Sequence, residues 1–156
     1  MRVLLALLMV GVTAGPLWAQ NGQANSLVEG ARGAKKIVLA TVTDVQSTFD
    51  VNDYGDRLIV SNALMHVEET LKGSHDLSVT VTVEGGTVGE LTLRVSDMPV
   101  IAAGDHVVVF LDDTNRGGHV PHGRGYGVFK LNATNQVEGT SISLDDIKSA
   151  VDAATR

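Results

Sequence analysis

The sequence predicts a mainly β fold, a small closed or partly open antiparallel barrel or a small sandwich, with helices only near its two ends. Several short apolar or alternating segments are separated by turn residues, and no helical pattern lies between consecutive strands. The clearest strand is 77–83, where apolar residues alternate with serine and threonine. This alternation predicts that Val79 and Val81 face the core, whereas Thr80 and Thr82 face solvent.

The first 19 residues have the pattern of a secretory signal peptide. Arg2 precedes an apolar run that is too short to span a bilayer, and Ala19 supplies a small residue before a cut. We expect cleavage after Ala19, followed by a flexible polar start at 20–25. The mature protein is therefore expected to be secreted or periplasmic, with no stable membrane anchor.

The remaining residues, 26–156, predict a single domain with two long polar connections. The C-terminal helix has the strongest local signals, with Ser143 as N-cap and Asp146 at capping-box spacing. The predicted elements are a short helix at 26–34 capped by Ser26, strands at 37–45, 58–67, 77–83, 91–95, 107–111 and 126–131, and the C-terminal helix at 144–153. The polar connections are the turn 50–56 and the glycine-rich loop 112–125.

Composition narrows the classes of partner. Of the 12 basic side chains only Arg2 lies in the leader, which leaves 11 against 18 acidic ones and a formal charge of −7. Nucleic acid and anionic membranes are disfavoured as partners, because both require a basic face. The chain has no cysteine, which excludes a disulfide, a thiolate metal site, a lipidated cysteine and a cysteine nucleophile.

Three short patterns occur in a recognisable order and spacing. They are the strand end at 68–73, the glycine turn at 85–89, and Met98-Pro99 followed by 104–111. In these residues the chain resembles a family of small secreted bacterial domains of uncharacterised function. The resemblance covers about Leu27 to Leu131 and implies an OB-like β-barrel in an exported setting. It implies no catalytic residue.

One group of residues has the chemistry of a metal site. His119 and His122 lie in the polar loop near Asp112 and Asp113, and two imidazoles with a carboxylate are typical zinc ligands. A metal-dependent hydrolase centred on the two histidines is therefore an alternative function. A solvated loop with incidental histidines is favoured, because a proline and glycines in the loop would present the pair flexibly.

The turn 50–56 begins like a calcium-binding loop. Asp50 and Asn52 occupy its first and third positions, but Tyr54 occupies the fifth and Ser61 stands where a bidentate glutamate belongs. A turn stabilised by local Asn and Asp hydrogen bonds is the simpler interpretation. No cofactor is predicted.

The leading hypothesis is an exported, non-enzymatic binding module that acts through its two polar connections, since rigid scaffolds often carry function on loops. The expected partner is another exported protein, with a secreted protease as one candidate. The candidate contact residues are Asp50, Asn52, Asp53, Tyr54, Arg116, His119, His122 and Arg124. A small apolar ligand inside the barrel is disfavoured, because a barrel of this size should be filled by its own side chains.

Overall fold

The computed structural model describes residues 18–51 and 55–156, with side chains from Ser26 onward. The fold is mainly β, with one six-stranded mixed sheet, a separate two-stranded hairpin and two α-helices. Most of the predicted signal peptide and three residues of the predicted turn, Asn52, Asp53 and Tyr54, lie outside the described residues. No helix among the described residues is both long enough and apolar enough to cross a membrane.

The elements follow the predicted order with several differences in extent. The helices are α1 (Trp18–Gly33) and α2 (Leu144–Thr155), with a 3-10 turn at Arg124–Gly127. The strands are β1 (Lys36–Val51), β2 (Arg57–Lys72), β3 (Ser78–Glu84), β4 (Gly86–Val88), β5 (Leu91–Leu93), β6 (His106–Asp113), β7 (His119–Pro121) and β8 (Val128–Leu131).

The six-stranded sheet has the order β1-β2-β3-β7-β6-β8, and β1 pairs in addition with β6. All its pairings are antiparallel except that of β3 with β7, which is parallel and joins Val81 to His119. The sheet is therefore mixed, whereas the sequence predicted antiparallel strands throughout. The β4–β5 hairpin forms its own small sheet.

The predicted register of the third strand is confirmed. Val79 and Val81 are buried, Thr80 is exposed and Thr82 is partly exposed. Leu77 was assigned to the same apolar face, but it is 84% exposed. It precedes the first residue of β3, so the alternation of faces does not extend to it.

Several boundaries differ from the prediction. Helix α1 begins at Trp18, so Ser26 is not its N-cap, and the helix includes 20–25, which were predicted to be flexible. Glutamine and alanine in this stretch have good helix propensity, which the prediction underestimated. Strand β7 lies within the predicted loop 112–125, and Tyr126 belongs to a 3-10 turn instead of the last strand.

Two hydrophobic cores share strands β1 and β6. The core on one face of the sheet, which we call the interior core, contains Val38, Ala40, Val42, Ala63, Met65, Val67, Val79, Val81, Val83, Ile101, Val107, Val109 and Leu111. The helix core lies between the other face of these strands and the two helices, and contains Leu27, Ala31, Ala34, Ile37, Leu39, Val108, Phe110, Leu131, Val137, Leu144, Ile147, Ala150 and Val151. Because β1 and β6 are covered on both faces, their apolar runs are continuous.

Both helices are fixed at one end by polar contacts. The predicted capping box of α2 is present: the Ser143 hydroxyl accepts from the backbone N–H of Asp146, whose carboxylate accepts from the N–H of Ser143. At the end of α1, the ammonium of Lys72 donates to the carbonyls of Ala31, Arg32 and Ala34 at 2.8, 3.1 and 2.7 Å. A cation is favoured there by the negative end of the helix dipole.

Candidate functional site

The two polar connections that the sequence singled out meet in space. The guanidinium of Arg116, in the connection between β6 and β7, donates to the Asp50 carboxylate at 3.4 Å and to the Val51 carbonyl at 2.9 Å. Asp50 and Val51 are at the end of β1, 66 and 65 residues earlier in the chain. Arg116 therefore fastens the β6–β7 connection to the tip of the β1–β2 hairpin.

Exposed apolar side chains adjoin this contact. Phe49 is 48% exposed and Val51 is 40% exposed, and alternation along β1 places the two on one face of the hairpin. The same alternation places the Asp50 side chain, which bonds Arg116, on the opposite face. We call this end of the hairpin, with Phe49, Asp50, Val51 and the bound Arg116, the tip surface. The sequence predicted Asp50 and Arg116 as contact residues but did not indicate Phe49 and Val51. Their alternation with polar residues after residue 45 was the signal that β1 continues to the tip.

The proposed metal ligands form two separate pairs. Nδ1 of His122 lies 2.8 Å from the Asp112 carboxylate, and Nδ1 of His119 lies 3.1 Å from that of Asp113. Asp112 and Asp113 are consecutive in β6, so their side chains point to opposite faces of the sheet. The His122 pair is on the side of the helix core, and the His119 pair is on the side of the interior core.

This arrangement does not assemble a metal site. In the part of the chain that the structure describes, no three histidine, cysteine, aspartate or glutamate side chains are grouped so that they could hold a metal ion. His119 and Asp113 are close but are not oriented to form a hydrogen bond. Nδ1 of His119 is buried and has no other hydrogen-bond partner among the described residues. The sequence placed the four residues close together, but it did not show that the sheet would separate them.

Ser26 is not placed to act as a nucleophile with the His122 pair. A cavity of about 530 Å³ lies beside the His122 ring, and Ser26 is on its lining. However, Nε2 of His122 is directed at Gly33, where a Cβ atom would lie 2.6 Å away. Ser26 is two helical turns earlier in α1, about 10 Å away along the axis. A hydroxyl at that distance is not within hydrogen-bond reach of the imidazole, as a serine–histidine pair requires.

Arg124 lies apart from the tip surface and has a structural contact. Its guanidinium bonds the carboxylates of Asp97 and Glu84, the latter at 2.7 Å. The bonds to Asp97 and then to Glu84 raise the pKa of Arg124, and the same contact lowers the pKa of Asp97. Arg124 has a positive φ of 62°, which is uncommon outside glycine. It joins the 3-10 turn to the end of β3 and to the segment after β5.

The calcium-loop interpretation gains no support from Asp50. Its carboxylate oxygen Oδ1 accepts from the Val51 N–H at 2.7 Å and from Arg116. A local backbone bond and a cation therefore occupy this group, as in the predicted turn. The other expected ligand, Asn52, lies outside the described residues.

Comparison of the sequence with models of protein families gives no matching family, and comparison with curated proteins gives no significant relative.

Proposed function

We propose that this chain is an exported, non-enzymatic binding module that holds another exported protein at its tip surface. The observation that carries the proposal is the bond of Arg116 to Asp50 and to the Val51 carbonyl, which joins both polar connections into one surface. The signal-peptide pattern of residues 1–19 supports an exported partner. A secreted protease is one candidate within that class.

The composition of the tip surface suits a protein partner. Aromatic residues and arginine are enriched among interface residues that contribute most to binding. Phe49 and Arg116 provide one of each, about half exposed, with Val51 beside them. Because Arg116 already fixes the β6–β7 connection, less conformational entropy is lost on binding.

We also infer that the sheet forms an OB-like barrel, which would put the tip surface at its mouth. The pairings β1–β2, β2–β3, β3–β7, β7–β6 and β6–β1 follow one another in a ring. The first and second strands of this ring are joined by the turn 52–56, and its fourth and fifth by 114–118. Binding through the equivalent two connections is characteristic of OB folds. This likeness is one of fold and supports the position of the site more than its partner.

A capture experiment tests the proposal. Immobilised mature protein is exposed to periplasmic extract or culture medium of the host, and retained proteins are identified by mass spectrometry. The double variant F49S/R116A removes the aromatic and the cation. The control variant Leu77→Ser removes an apolar side chain that is 84% exposed, directly before β3.

We expect the wild type and Leu77→Ser to retain the same partner and F49S/R116A to retain at least about tenfold less, which corresponds to 1.4 kcal/mol of binding free energy. Circular dichroism of all three proteins checks that they are folded. Equal retention by the wild type and the double variant would overturn the assignment of the tip surface.

A further inference from the structure

A cavity of about 510 Å³ opens beside the interior core. It lies between the β4–β5 hairpin, the segment 94–101, and one face of the β1–β2 hairpin. The side chains that line it are mostly apolar and include Val45, Val83, Leu93, Val95, Met98 and Ile101. Its volume is within the range of small-molecule sites, about 300–1,000 Å³.

Two serines form a polar group on the lining of this cavity. Ser47 and Ser61 are direct partners in the β1–β2 register, and their hydroxyl oxygens are 2.8 Å apart. Ser61 is only 6% exposed, and its hydroxyl donates to the Gly85 carbonyl at 2.7 Å. Ser47 is half-buried, so the pair reaches from the buried Ser61 towards the open cavity. A hydroxyl pair between apolar walls is the kind of polar group that orients a ligand.

The backbone of Gly86 makes room for the serine pair. Gly86 has φ of 135°, and a Cβ atom there would lie 2.3 Å from Oγ of Ser61 and 2.4 Å from Oγ of Ser47. Any other residue would displace both hydroxyls. The absence of a side chain at this position therefore keeps the two serine hydroxyls in the cavity.

The hydrogen-bond capacity of the pair defines what it can bind. Each hydroxyl has one hydrogen to donate and two lone pairs to accept. Ser61 uses its hydrogen on Gly85, so the bond between the two serines must use the hydrogen of Ser47. The lone pairs of Ser47 remain, and the pair therefore acts as an acceptor for a ligand.

We propose that this cavity binds an uncharged small molecule with an aliphatic body and one N–H or O–H donor, such as a primary amide or an alcohol. The donor bonds Oγ of Ser47, and the aliphatic body contacts the valine, leucine, methionine and isoleucine walls. The lining residues include one carboxylate, Glu84, which is bonded by Arg124, and one guanidinium, Arg94, so the lining itself has no net charge. This site shares no residue with the tip surface and does not depend on the proposed function.

Hexanamide and N,N-dimethylhexanamide are suitable probes, because they share an aliphatic chain and only the first has an N–H donor. Binding is followed in the mature protein by the backbone amide shifts of two-dimensional NMR. The test variant is Ser47→Ala, which removes the acceptor and leaves the Ser61 bond to Gly85 in place. The control is Ser78→Ala, at the exposed start of β3.

We expect saturable shifts at cavity residues with hexanamide, and affinity that falls about three- to tenfold in Ser47→Ala but not in Ser78→Ala. N,N-dimethylhexanamide, which has no N–H donor, should bind Ser47→Ala and Ser78→Ala with the same low affinity. Amide spectra with unchanged dispersion show that Ser47→Ala is folded. Equal affinity of the two compounds for the wild type, or no saturable shift at the cavity, would overturn the proposal.

Discussion

Strand β1 has two halves with different surroundings. Its first half, from Lys36 to Thr41, pairs with β2 on one edge and β6 on the other, and both of its faces are buried. The second half pairs only with β2 and is mostly exposed from Thr43 onward. One continuous strand therefore contributes to both cores and also to the tip surface, so stability and the proposed binding should respond to different substitutions along it.

The largest effect is expected from a charge in the first half of β1. Val38 is 1% exposed in the interior core, so Val38→Asp buries an unpaired carboxylate. The expected loss is about 3–5 kcal/mol, comparable with the whole free energy of unfolding of many small domains, about 5–15 kcal/mol. The matched change in the second half, Val51→Asp, should alter the melting temperature little. Similar melting temperatures of Val38→Asp and Val51→Asp would contradict the division of β1 into a buried and an exposed half.

A smaller loss of stability is expected when the contact between Lys72 and the end of α1 is removed. Lys72→Met keeps the aliphatic chain but removes the ammonium that bonds three carbonyls at the end of the helix. We expect a loss of about 1–3 kcal/mol in chemical denaturation. Lys148→Met removes only an exposed ion pair with Glu69 and should cost about 0–1 kcal/mol. A larger loss in the control would show that helix capping is not the main contribution of Lys72.

A local effect is expected at the tip. Arg116→Ala removes both bonds to the end of β1, and amide hydrogen exchange there should become faster while exchange in the first half of β1 stays unchanged. Global stability should change by less than about 1 kcal/mol, because the ion pair is exposed. Arg32→Ala, on α1, is the control. Unchanged exchange at Phe49–Val51 in Arg116→Ala would show that Arg116 does not restrain the tip.

The smallest effect concerns the N-cap of α2 at acid pH. Hydrogen bonds from the Ser143 hydroxyl and backbone hold the pKa of Asp146 below its ordinary value. The resulting stabilisation is present above the ordinary aspartate pKa and is lost as the pH falls through the lowered value. In an NMR titration the pKa of Asp146 should rise towards the ordinary value in Ser143→Ala. The same titration midpoint in wild type and variant would contradict the capping-box contribution.

Sequence reasoning succeeded where structure depends on near neighbours. The register of Val79 and Val81 follows from alternation within one strand, and the capping box of Ser143 and Asp146 spans one helical turn. Each of these features is contained within a few residues. The sequence alone was therefore enough to predict them.

Prediction from the sequence failed where contacts between segments far apart in the chain determine the structure. Strand β7 has three residues, and its pairings are with β3 and β6, so no local pattern distinguished it from a loop. The separation of His119 from His122 depends on the sheet face of their partners in β6. The bond of Arg116 to Asp50 spans 66 residues, and the sequence predicted both connections without showing that they touch.

The contact between Lys72 and α1 has a consequence for the predicted removal of residues 1–19. Among the side chains described from Ser26 onward, α1 contributes Leu27 and Ala31 to the helix core, Ala34 follows directly, and Lys72 bonds the carbonyl end of the helix beside them. The predicted cut after Ala19 falls in the first turn of this helix. Removal of the leader would shorten the helix at the end opposite its attachment, and the attachment itself would remain. Precursor and mature protein should therefore share one fold, whichever of folding and cleavage comes first.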